Sequence, residues 1–246
     1  MAALLALALP PAASATGVVE SLRGTAMAGQ GALAQGERFV APASIRTGAG
    51  SQAVLKFDDG MQMVLDENTV VRILQFRHAG KGGEDRAVFE LLFGAARVVT
   101  GRIAADSPGQ FFFQMPQTRL MVERPADFSV VLVNPAYIAV HAGSLISSNA
   151  WGTTTLGTGS TTVVAASAAA PAAIAPSAMP QTAAASMKTL QTASVGVPAG
   201  ASAAGAAAAA AADVPMPPIL ATVVTLGIIA AVLAGLDGNG TATTQH

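Results

Sequence analysis

Short apolar runs, separated by residues typical of turns, recur along the first 150 residues of the chain. Several runs alternate: Phe89, Leu91 and Phe93 fall on one face of a strand, with Glu90 on the other. No run in this part follows the 3.6-residue period of an amphipathic helix. The pattern predicts an all-β domain, rich in antiparallel pairs and built as a β-sandwich or β-roll. The predicted strands are 17–22, 52–57, 61–65, 69–76, 87–93, 110–115, 119–122, 128–133 and 137–141.

The stretch LKFDDGMQMVLDENT, residues 55–69, is acidic enough to suggest a metal site. The hydrophobic register indicates a hairpin instead, because a three-residue loop at 58–60 places six apolar side chains on one face and Lys56 and Gln62 on the other. In such a loop Gly60 takes the left-handed position, and Asp58 is expected to cap the turn. The spacing of a calcium-binding loop is absent, so we interpret both acidic clusters, 58–59 and 66–68, as turns. The predicted pairs are Phe57 with Met61, Leu55 with Met63, and Ala53 with Leu65.

The charged residues delimit this domain and restrict its function. Residues 1–150 carry 12 Lys and Arg and 12 Asp and Glu, whereas only Lys188, Asp213 and Asp237 follow Ala150. The formal net charge is −1 and there is no run of basic residues, which argues against nucleic-acid binding. The chain has no cysteine, so disulfides, thiolate metal sites and cysteine nucleophiles are excluded.

The two ends of the chain differ from the predicted domain. Residues 1–15 are apolar and end in Ala13-Ser14-Ala15, a pattern typical of a signal peptide, so we expect export. The β domain is then expected at 16–160, followed by an Ala-, Pro- and Ser-rich linker at 161–215 that is mostly disordered. Residues 216–236 are predicted to form a transmembrane helix, with a polar tail at 237–246; the alternative is a helix that packs on the domain or on another copy.

The chain shows no residue pattern typical of an enzyme. Its histidines, His78, His141 and His246, have no metal-binding spacing, and no nucleophile-elbow motif accompanies them. GKGG around Lys81 lacks the spacing of a phosphate-binding loop. We therefore predict no catalytic residue, no metal and no cofactor.

Four segments in order resemble the FecR-like domain family over residues 17–145. They are GVVESLRGTAMA, FVAPASIRTGAGSQAVLKFDDGMQMVLDENTVVRI, FELLFGAARVVTGRI and RLMVERPADFSVVL. The family's final R-G-T-x-F is replaced here by RPADF, so proline stands where the family has glycine. The positions that match the family motifs are Ile45, Thr47, Gly48, Leu55, Phe57, Asp59, Gly60, Leu91, Gly94, Arg97, Thr100, Gly101, Arg124, Asp127 and Phe128.

The resemblance implies an envelope-exposed β domain. Iron-uptake members of the family resemble membrane-spanning anti-sigma regulators with a cytosolic segment before the domain, whereas here we expect the domain to follow directly after the signal peptide, so the resemblance does not imply sigma-factor control. The first hypothesis is a non-enzymatic module of the periplasm or outer envelope that senses or binds a partner and is tethered to the membrane. The alternative is a structural protein that self-associates through Gly227, Ala231 and Gly235, a small-xxx-small pattern.

Overall fold

The protein is described here by a computed structural model, which covers residues 16–79 and 84–193. Nearly all regular structure in this part is β-strand, so the prediction of an all-β domain is confirmed. Each of the nine predicted strands is present, with bounds that differ by a few residues at most, except that one strand is longer than expected.

Seventeen strands and three short helices follow one another along the described residues. The strands are β1 (Gly17–Arg23), β2 (Ala26–Ala28), β3 (Gly31–Leu33), β4 (Arg38–Phe39), β5 (Ala43–Thr47), β6 (Gln52–Phe57), β7 (Gln62–Leu65), β8 (Val70–Arg77), β9 (Arg86–Val99), β10 (Phe111–Gln114), β11 (Arg119–Val122), β12 (Asp127–Leu132), β13 (Ala136–Ala142), β14 (Ser144–Ser148), β15 (Thr153–Gly157), β16 (Thr161–Val164) and β17 (Ala172–Ala173). The helices are α1 (Arg102–Asp106), a 3₁₀ turn (Pro176–Ala178) and α2 (Gln181–Thr192).

The strands form two sheets that share β9. Sheet A runs in the order β4, β1, β6, β7, β9, β12, β13, β16 and β17. Sheet B runs in the order β3, β2, β5, β8, β9, β10, β11, β14 and β15. All pairs are antiparallel except β9 with β10.

Strand β9 passes from one sheet to the other at Gly94. Its first half, up to Phe93, pairs with β8 in sheet B, and its second half pairs with β7 and β12 in sheet A. Gly94 has φ +91°, and an added Cβ would lie 2.5 Å from the Cα atom of Thr69. Only glycine combines this left-handed backbone with such a close approach, which explains the residue at the crossing point.

The two sheets pack face to face around one core of buried aliphatic and phenylalanine side chains. Phe57 of sheet A lies edge-on to Phe89 of sheet B, with ring centroids 5.4 Å apart. Phe113 of sheet B and Phe128 of sheet A make the same kind of contact at 5.7 Å. The family-motif residues Phe57 and Phe128 therefore join the two sheets, and burial of such rings is a major source of stability.

The predicted hairpin at residues 52–65 is confirmed in register. Leu55 pairs with Met63 and Ala53 with Leu65, and the N–H of Phe57 donates to the carbonyl of Met61 at 2.8 Å. Gly60 has φ +86°, as the three-residue loop requires. The expected cap is corrected, however: Asp58 is exposed, and it is the buried Asp59 that bonds to the turn.

Residues 161–193 differ from the linker predicted there. They form β16 and β17 at the edge of sheet A, and then α2, which packs on the outer face of that sheet. Ala183, Met187 and Leu190 are buried because their spacing of four and three places them on one side of the helix. The alanine-rich composition had suggested too little apolar surface for a core, but a small helix is enough to cover a sheet face that is itself apolar.

The remaining terminal predictions lie outside the described residues. These are the signal peptide at 1–15, the linker from 194 onward, the transmembrane helix at 216–236, its packing residues Gly227, Ala231 and Gly235, and the tail. Among the helices that are described, none has the length and apolarity needed to span a membrane.

Candidate functional site

The motif residues Asp59 and Gly101 meet where the hairpin of sheet A contacts the start of α1. The Asp59 carboxylate accepts the N–H of Met61 at 2.9 Å and the N–H of Ile103 at 3.3 Å. The backbone carbonyl of Asp59 also accepts the N–H of Arg102 at 2.9 Å. An added Cβ on Gly101 would lie 2.5 Å from the Asp59 carboxyl group, so the close approach requires glycine. Asp59 thus closes its own turn and holds the α1 N-terminus.

The Asp59 carboxylate is occupied by two backbone N–H groups. Burial raises the pKa of Asp59 above its ordinary value, although its bonds to the backbone oppose the shift. Within residues 16–79 and 84–193 there is no group of three acidic or histidine side chains able to hold a metal ion. The cavity that His141 lines contains neither Asp58 nor Asp59.

A further motif residue, Thr47, binds backbone groups of the turn at residues 66–68. The Thr47 hydroxyl donates to the carbonyl of Asp66 at 2.5 Å and accepts the N–H of Thr69 at 2.9 Å. Gly48 accepts the N–H of Asn68 at 3.1 Å. The second acidic cluster, 66–68, is therefore a turn held by the I-x-T-G motif, as the sequence predicted.

Thr100 holds the segment that departs from the family motif. Its hydroxyl accepts the N–H of Ala126 at 2.8 Å and donates to the Ala126 carbonyl at 3.1 Å. Arg124, at the start of RPADF, is exposed, whereas Phe128 at its end is fully buried. Because Thr100 binds Ala126 and not Pro125, the missing proline N–H leaves this attachment intact.

Arg97 and Asp127 form a two-bond ion pair on the outer face of sheet A. Nε and Nη2 of Arg97 donate to the two carboxylate oxygens of Asp127 at 2.9 and 2.7 Å, and both side chains are largely buried. Nη1 of Arg97 also donates to the carbonyls of Leu190 at 3.4 Å and Gln191 at 3.3 Å. The ion pair therefore fixes a guanidinium at the C-terminal end of α2, where carbonyls lack helical partners.

His141 lies beside this ion pair and borders a cavity next to α2. Its Nε2 is 2.8 Å from the Ser129 hydroxyl. Burial lowers the pKa of His141, the nearby Arg97 acts in the same direction, and Asp127 opposes both. The cavity has a volume of about 470 Å³ and lies between β13, β16 and the flank of α2.

An exposed apolar patch lies where β9 crosses between the sheets, and we call Leu92, Phe93 and Val133 the crossing patch. Their exposed fractions are 40%, 54% and 42%. They adjoin because Leu132 pairs with Gly94, which makes Phe93 and Val133 the next residues beyond that pair. At its rim the Gln117 amide donates to Asn134 at 3.5 Å, while its buried Oε1 has no hydrogen-bond partner among the described residues.

The crossing patch was not singled out from the sequence. Phe93 follows the alternation of Phe89 and Leu91 and was expected on the buried face. The strand register shifts next to Val70, the partner of Phe93, and the backbone then turns at Gly94, so the side chain leaves the core. The glycine two residues after Leu92 was the available signal, since an isolated glycine in a strand often marks a bulge or bend.

The fold and these contacts define a class: an all-β domain whose motif positions hold turns and join the two sheets. Residues 43–145 match the family model described as FecR protein, which confirms the predicted resemblance over this part of the chain.

The other comparisons are more distant. Two crystal structures, at 2.50 and 1.65 Å resolution, of a protein from Parabacteroides distasonis ATCC 8503 that is provisionally described as an anti-sigma factor share 16% and 18% identity with this chain. Each similarity covers 53% of this chain and 58% of the other, with TM-scores of 0.44 and 0.43. No curated protein sequence matches the chain.

Proposed function

We propose that this chain is a non-enzymatic module of the cell envelope, which binds another protein through its FecR domain. The observation that carries the proposal is the crossing patch, which lies within the family-matched residues 43–145. Large apolar side chains exposed next to one another suit contact with a protein partner, because such surface is removed from water on binding. Most of the motif residues make internal contacts, so we assign partner binding to the patch.

The patch favours a partner that presents an apolar side chain next to a polar group. Phe93 supplies a large, rigid contact surface, which is the kind of residue that dominates binding energy. The exposed Asn134, which follows Val133 along the chain, adds a polar side chain at the edge of the patch. A polar group next to an apolar centre is the usual anatomy of a protein interface.

The test is chemical crosslinking of the full chain in the envelope of its own host cell. Phe93→Ser should abolish the discrete crosslinked adducts, while stability changes by less than about 1 kcal/mol because the ring is exposed. Trp151→Ser is the matched control, since Trp151 is 56% exposed and lies outside the family-matched residues. Adducts that survive Phe93→Ser, or adducts lost equally in both variants, would refute the assignment of the patch.

Export and attachment form the second part of the proposal. The apolar segment at 1–15 supports export, and the uncharged segment 219–236 supports a membrane tether, since about 17–25 such residues span a bilayer. Ile228→Asp should move the chain from the membrane fraction to the wash after alkaline extraction. An unchanged distribution between the membrane fraction and the wash would contradict the proposed membrane tether.

A further inference from the structure

The outer face of sheet A is an apolar groove that binds a helix, and in this structure α2 occupies it. Three helix residues spaced at i, i+4 and i+7, Ala183, Met187 and Leu190, are buried on it. This spacing is the pattern by which helices enter grooves on partner proteins. The groove consists of Val54, Val64, Ala95, Val131, Tyr137 and Ala139.

The groove also carries a polar group that recognises the C-terminal end of the helix. Arg97, held in place by Asp127, donates to the carbonyls of Leu190 and Gln191 at the helix C-terminus. Arg97 therefore suits any helix that ends at this position, because every helix presents free carbonyls there.

The fit between α2 and the groove is incomplete. The cavity of about 470 Å³ is bordered on the helix side by Ala184, Met187, Lys188 and Gln191, and on the sheet side by His141 and Thr161. Ala184 is too small to fill this space. The helix also begins without a side-chain cap, so its own stability is marginal and depends on docking.

We propose that this groove is a binding site for an amphipathic helix of a partner protein, and that α2 is a weak internal occupant which the partner displaces. A tethered helix competes at an effective concentration in the millimolar range. A partner with identical side chains would therefore lose, whereas a helix with a larger residue at the position of Ala184 would gain contacts in the cavity. The groove and the crossing patch consist of different residues, so variants of each test the two proposals separately.

The experiment measures binding of a fluorescein-labelled peptide to the full chain by anisotropy. The probe has the sequence of residues 179–193 with Ala184→Leu, and the unchanged sequence serves as its comparison. Leu190→Asp and Met187→Asp in the protein each put a charge on the buried side of α2 and release it. We expect either variant to bind the Ala184→Leu peptide at least about tenfold more tightly than the wild type does. Thr192→Asp, at an exposed position of the same helix, should bind like the wild type.

A second measurement needs no release of α2. Ala184→Leu in the full chain should raise Tm by about 2–4 °C because it fills the cavity, while Ala185→Leu at an exposed position should leave Tm unchanged. The proposal is overturned if folded release variants bind neither peptide more tightly than the wild type. It is also overturned if Ala184→Leu fails to exceed Ala185→Leu in Tm.

Discussion

The outer faces of the two sheets differ in how far they are shielded from solvent. In sheet A, all six residues of β12 are buried, and so are the first five of β13, because α2 covers that face. In sheet B, β8 and β11 show exposed or half-buried residues between buried ones. One face is apolar and covered by a helix, whereas the other carries charged side chains and faces solvent.

In sheet B, arginine side chains cover the outward-facing ring of Phe112. Phe112 is only 9% exposed although it points away from the core. The guanidinium of Arg119 lies 3.8 Å from the centroid of the Phe112 ring, and that of Arg86 lies 5.0 Å away. Arginine can cover a ring in this way because its flat head stacks on aromatic faces while remaining hydrated.

The largest expected difference between the two faces is the effect of a buried charge. Val131→Asp places a carboxylate beneath α2, at a position that is 1% exposed, and should destabilise the fold by at least about 3 kcal/mol. Leu74→Asp makes the same change in sheet B, where Leu74 is 41% exposed, and should change stability by about 0.5 kcal/mol. Urea unfolding of both variants measures the contrast, and equal losses would show that the two faces are not distinct.

The next effect concerns the ion pairs. Arg97→Gln leaves Asp127 largely buried without its cation and removes the contact to α2, so we expect a loss of about 2–3 kcal/mol. Arg72→Gln breaks the pair with Glu90 on sheet B, where the Arg72 side chain is half exposed, and should cost about 0.5 kcal/mol. Denaturant midpoints give both values. A loss for Arg72→Gln as large as that for Arg97→Gln would contradict the assignment.

The smallest effect is a pH dependence on the covered face. Because burial lowers the pKa of His141, the unfolded chain binds its proton at a higher pH than the folded chain does. The free energy of unfolding should therefore fall as the pH drops below about 6.5. His141→Gln should flatten this decline between pH 7 and pH 5 in urea titrations, apart from the parallel contributions of other groups. A slope identical to that of the wild type would rule out His141 as its source.

Local pattern was sufficient for the strands and for the hairpin at residues 52–65. Register follows from alternation, since a one-residue shift would move Leu55 and Met63 off the buried face. The separate roles of Gly60 and Asp59 within that turn could be assigned only from the structure. Gly60 has φ +86°, which strains any other residue even though an added Cβ meets no atom within 4 Å, whereas the Asp59 carboxylate binds the α1 backbone. We expect Gly60→Val to lower the free energy of unfolding by about 3 kcal/mol and Asp59→Asn, which keeps one oxygen acceptor, by about 1 kcal/mol. Equal melting temperatures for the two variants would contradict this role of Gly60.

The crossing patch and α2 could not be predicted from local sequence pattern, because both depend on contacts between distant parts of the chain. Residues 181–192 look like the rest of an alanine-rich segment, and their helix is stabilised by a sheet face formed by residues 54–139. A signal did exist on the sheet side. β12 and β13 are nearly continuous apolar runs, and such strands are buried on both faces and therefore require a cover.

The most direct test of the account is thiol accessibility on each outer face. The chain has no cysteine, so Val131→Cys and Leu74→Cys each introduce a single reactive group, one beneath α2 and one on sheet B. We expect Leu74→Cys to react with a maleimide at the rate of an exposed thiol and Val131→Cys to stay protected until Leu190→Asp is added. Equal labelling rates for Val131→Cys and Leu74→Cys with α2 unaltered would contradict the claim that α2 covers sheet A.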